Sequence, residues 1–112
     1  MLRQYIMEAD GTIREEPDML AFAKWYDDIA NRKIALDTHG DVEISTIFTG
    51  FDYNHRDKGA PILFETMIFG GCFDRRGERY HTKAEALEGH RRWVEYIKSG
   101  AKTDIEREFS TN

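Results

Sequence analysis

The residues best suited to chemistry are scattered rather than gathered in one motif. Glu65 sits inside the apolar run "PILFETMIFGG", where a carboxylate is costly unless it is paired or hydrogen-bonded. Its candidate cationic partners are Arg79, His90, Arg91 and Arg92. His90 falls on the apolar side of the last amphipathic segment, so it should look toward a sheet. A neutral imidazole there can hydrogen-bond or move a proton. Asp52, His55 and Asp57 share one loop, "TGFDYNHRDKGAP", but their spacing matches no strong metal-ligand pattern. "RRGERYH" brings Arg75, Arg76 and Arg79 beside Tyr80 and His81, a local basic island that suits an anionic ligand with a base stacked on the tyrosine. Cys72 is the only cysteine and has no C-x-x-C mate. The Gly70-Gly71 pair stands without the rest of a phosphate-loop or dinucleotide signature.

The elements that must position these groups follow from periodicity. "DG" at Asp10-Gly11 is a two-residue turn signal within a hairpin over residues 2–15. Pro17 suits the first position of a helix on which Phe22, Trp25, Tyr26 and Ile29 form one apolar stripe. "KIALDTHGDVEISTIF" reads as two strands about a tight turn at His39-Gly40-Asp41. Val42, Ile44, Thr46 and Phe48 share one of its faces. The 13 residues from Thr49 to Pro61 make a long loop, and loops of that length are often functional. "ILFETMIF" is apolar on both faces, the pattern of a central strand covered on both sides. A hairpin about Arg76-Gly77 leads to Thr82, which with Glu85 forms a capping box for a helix reaching about Ser99 and stopped by Gly100. The tail from residue 101 is polar and either extends the helix or frays.

The expected fold is a single α+β domain: an antiparallel sheet of about four to six strands with two amphipathic helices packed on one face. The 112 residues hold 21 acidic and 16 basic side chains, a net charge of −5. That balance disfavours broad DNA or RNA binding, which needs a basic face. No run approaches the length of a membrane span, and the first residues lack the pattern of a signal peptide. A cytoplasmic setting is expected, with no cofactor or metal implied.

Four segments in order, "DMLAFAKW", "VEISTIFTGFD", "PILFETMIFGG" and "RYHTKAEALEGH", resemble a widespread family of small hypothetical proteins of tailed bacteriophages and prophages. The resemblance spans the chain to about Lys98. It implies a phage setting and the host cytoplasm, and it carries no catalytic residues. Where the family often has a histidine directly after the aspartate, this chain has Tyr53 after Asp52.

Several functions follow from these residues. The first is a binding protein, leaning away from an enzyme. It would sequester a small anionic or nucleotide ligand used in host defence, as an oligomer with pockets lined by Glu65, Arg79, Tyr80 and His90, and with Asp52 on the neighbouring loop. The alternative is a protein-level inhibitor of a host defence factor, acting as anti-CRISPR proteins do. A third reading is acid/base catalysis by Glu65, Asp52 and His90, which requires them to converge. A fourth is a structural component of the phage particle.

Overall fold

A computed structural model describes residues 3–56 and 58–100; Asp57, the tail 101–112 and residues 1–2 lie outside the described residues. Two antiparallel sheets and two helices make an α+β fold. The first sheet is a hairpin of β1 (Tyr5–Met7) and β2 (Ile13–Glu15). Its connection is longer than the expected two-residue turn. Glu8 N–H donates to the Thr12 carbonyl at 2.8 Å and Gly11 N–H to the Glu8 carbonyl at 2.9 Å. Asp10 Oδ1 accepts the Thr12 N–H at 2.9 Å, so the aspartate shapes a wider loop.

Helix α1 (Met19–Asp27) starts two residues after Pro17, because Asp18 is its N-cap and accepts the Leu20 and Ala21 N–H groups. Asp28 then caps a separate 3-10 turn (Ile29–Asn31), which breaks the predicted stripe and leaves Ile29 63% exposed. Phe22, Trp25 and Tyr26 do face inward. Phe22 meets the Phe51 ring edge-on at 5.1 Å, and Trp25 meets Phe48 at 5.6 Å.

The main sheet has the order β3 (Lys33–His39), β4 (Val42–Phe48), β5 (Phe64–Phe69), β6 (Gly77–Tyr80), antiparallel throughout. Helix α2 (Lys83–Lys98) opens on the expected capping box: Thr82 Oγ1 accepts the Glu85 N–H, and Glu85 Oε1 accepts the Thr82 N–H, both at 3.1 Å. The two helices share the work unequally. α2 packs on all four strands of the main sheet, whereas α1 packs on β1 beside it. Ile44, Phe48, Phe64, Leu63 and Ile68 are fully or almost fully buried, each stabilising the fold by about 1.5–3 kcal/mol through removal from water.

The expectation that β5 is covered on both sides is corrected. Phe64, Thr66 and Ile68 lie under α2, while Phe69 on the opposite face is 44% exposed. No helix among the described residues is long and apolar enough to cross a membrane.

Candidate functional site

The main sheet separates the predicted site residues. Glu65 and Arg79 are cross-strand partners on the face away from α2, with Arg79 Nε 2.9 Å from Glu65 Oε2. The guanidinium also lies over the Tyr53 ring, 4.0 Å from its centroid. Glu65 therefore has its cation, and the arginine is covered by Tyr53 of the long loop, while Tyr80, expected to stack on a ligand's base, is buried. Tyr80 and His90 are buried on the other face, between sheet and helix. A pocket combining Glu65, Arg79, Tyr80 and His90 does not form, and acid/base work by Glu65 with His90 is overturned because the sheet stands between them.

Asp52 has a positioning task. Its Oδ1 accepts the Asn54 N–H at 2.8 Å and the Ile62 N–H at 2.9 Å, tying the two ends of the long loop together. The Asn54 amide donates to the Lys58 and Ala60 carbonyls, both at 2.9 Å. The loop is thus held by its own side chains, and His55 stays exposed on it. Among the described residues no three or more His, Cys, Asp or Glu side chains gather to hold a metal. Cys72 packs against the apolar cluster of Ile44, Ile68, Phe73 and Ile97.

Under α2 the structure shows what sequence reasoning missed, a line of hydrogen bonds crossing the sheet. Tyr80 O–H donates to Thr66 Oγ1 at 3.2 Å. Thr66 and Thr46 hydroxyls are 2.5 Å apart, Thr46 Oγ1 is 2.7 Å from His90 Nδ1, and His90 Nε2 is 2.7 Å from Asp37 Oδ2. An ionised carboxylate only accepts, so Nε2 carries the hydrogen; with His90 neutral, Nδ1 accepts and Thr46 donates to it. Each hydroxyl then donates once toward His90 and every buried polar atom in the line is satisfied. Burial pushes the Tyr80 phenol up from its ordinary range, partly offset by its bond to Thr66. Thr46 and Thr66 have no exposed surface, so no substrate reaches these hydroxyls. The Asp–His–Thr geometry holds the core in register and is not a nucleophilic triad.

Gly89 belongs to the same construction. A Cβ there would overlap the Tyr80 ring and hydroxyl, so only glycine lets α2 sit this close to β6.

The open face of the sheet offers a different surface. Its cross-strand rows are Ile47, Glu65 and Arg79, then Leu36, Ser45, Met67 and Gly77, then Thr38, Glu43 and Phe69. A depression of about 210 Å³ is lined by Ser45, Ile47, Glu65, Met67, Phe69 and Arg75. Arg75 enters it from the β5–β6 turn with φ at 68°, the only non-glycine residue at positive φ among those described. It occupies the third position of a turn closed by the Arg76 N–H on the Phe73 carbonyl at 2.9 Å, a position where glycine is usual. Asp74 Oδ1 accepts the Gly70 N–H at 2.7 Å, while its Oδ2 lies only loosely beside Arg75 Nε, 3.8 Å away. The arginine side chain is consequently 86% exposed.

Of these features the sequence signalled the threonines, each placed between apolar residues on a strand face: Ile44-Thr46-Phe48 and Phe64-Thr66-Ile68. Asp37, Tyr53 and the backbone of Arg75 carried no such signal. No protein-family model, curated protein or solved structure matches this chain.

Proposed function

We propose that the protein acts by binding, and that it takes a small anionic ligand with a flat apolar part on the open face of the main sheet. One observation carries this reading: a half-open apolar floor of Ile47, Met67 and Phe69 lies beside an arginine held in a strained conformation with its charge largely unspent. Strained backbone that a glycine would relieve is commonest where function needs the side chain. Arg75 supplies charge-assisted hydrogen bonds to an anion, and Phe69 supplies a face for stacking. A nucleotide fits this description. The motif resemblance to phage proteins makes sequestration of such a ligand in the host cytoplasm the setting we favour.

The test is a titration of the ¹⁵N-labelled protein with purine mononucleotides, cyclic dinucleotides and the matching uncharged nucleosides. Saturable shifts at Ile47, Met67, Phe69 and Arg75 with a nucleotide, weakened roughly tenfold or more in Arg75→Ala, are expected, since one hydrogen bond to a charged group contributes about 1.5–3 kcal/mol. Nucleosides binding as well as nucleotides, or no saturable shift on this face, would sink the reading.

A further inference from the structure

Residues 8–28 hold seven acidic and two basic side chains, a net −5 that equals the charge of the whole 112-residue chain. The other residues carry fourteen acidic and fourteen basic groups and balance. One of the two cations in the segment is already tied up: Arg14 pairs with Glu8 at 2.8 Å and Glu16 at 3.1 Å. The field of the molecule therefore comes from the β1–β2 hairpin and α1.

Among the described residues, the same element carries the most exposed large apolar side chains. Leu20 is 82% exposed and Met19 69%, with Ile29 at 63% just beyond the helix. Phe22, Trp25 and Tyr26 take the core side of α1, so Leu20 points away from the protein with Ala23 and Lys24 as its neighbours on the helix surface and Asp27 one turn beyond them. Capping accounts for Asp18 and Asp28, and turn formation for Asp10. It accounts for none of the apolar exposure, nor for Glu15 and Asp27.

We infer that the outer face of α1 is a docking surface for a protein that presents a rim of lysines and arginines around an apolar pocket. Leu20 and Met19 are the anchors and the carboxylates of the lobe steer and orient the encounter. Complementarity selects the class of partner. Nucleic acid and anionic lipid are repelled by this field, and a second copy would bring the same negative lobe against itself. Basic protein surfaces of this kind are found where proteins hold nucleic acid. The surface is separate from the open sheet face and stands whether or not that face binds a ligand.

The test uses the ¹⁵N-labelled full chain and a defined probe, an amphipathic leucine-lysine peptide of about 18 residues that presents a cationic rim beside an apolar stripe. Saturable shifts confined to residues 13–29 are expected. Leu20→Ser, which leaves every charge in place at an exposed site, should weaken binding roughly tenfold. Glu15→Gln with Asp27→Asn should weaken it several-fold and flatten its dependence on salt. The inference is overturned by the absence of saturable shifts, by shifts centred elsewhere, or by Leu20→Ser binding like the unaltered chain. It is equally overturned by concentration-dependent shifts at residues 13–29 without peptide, which would make a second copy the occupant.

Discussion

Thr46 and Thr66 face each other across β4 and β5 with their hydroxyl oxygens 2.5 Å apart and no exposed surface on either residue. Replacing one by valine keeps the shape and removes a hydroxyl, leaving its buried neighbours short of a partner. Each single variant should lose about 1–3 kcal/mol in urea unfolding. The double variant should lose less than the sum, because the second substitution removes a group the first had already stranded. Additive losses would show that the two hydroxyls do not act together.

Gly89→Ala reverses an ordinary rule. Alanine in a helix interior is usually better than glycine by about 1 kcal/mol. Here the added methyl meets the Tyr80 ring, so the variant should be destabilised by about 1–3 kcal/mol. In a Tyr80→Leu background the penalty should shrink. A stabilised Gly89→Ala protein would mean that α2 does not approach β6 this closely.

Arg75→Gly should separate stability from binding. Relief of the positive φ is expected to raise stability by about 1 kcal/mol, seen as a higher urea midpoint with an unchanged slope. Ligand uptake on the open face should fall in the same variant. A protein made less stable by this change would place Arg75 in a structural role.

Stability should decline at alkaline pH through Tyr80. Burial raises its folded pKa above the unfolded value, so the folded state retains the proton over a range where the unfolded state has released it. The contribution is complete below about pH 10, the ordinary tyrosine value, and is lost as pH rises beyond it. Tyr80→Phe should lower stability at neutral pH and flatten the alkaline slope. Equal slopes in both proteins would contradict the burial of that phenol.

The α+β class, the β3–β4 hairpin and α2 were legible because alternation, Gly40-Asp41 and the Thr82/Glu85 box all point the same way. The end of α1 was not, since Asp28 caps a new turn at a position where the apolar spacing still suits a helix. The site was read less well for a reason of geometry. Glu65 and Thr66 are neighbours in sequence but point to opposite faces, and only strand register reveals that Glu65 meets Arg79 while Thr66 meets Thr46. His90 was rightly placed toward the sheet. Its partner Asp37 is 53 residues away on an edge strand, where a carboxylate reads as solvated surface.

The line from Asp37 to Tyr80 joins the two edge strands, β3 and β6, which are separated by three inter-strand spacings, about 14 Å. Thr46 and Thr66 each donate once and accept once, and Tyr80 is the terminal donor. Every O–H dipole of the line therefore points toward His90. Side chains thus couple the two edges, so that loss of the carboxylate in Asp37→Ala should be felt at the Tyr80 phenol without any strand having to move.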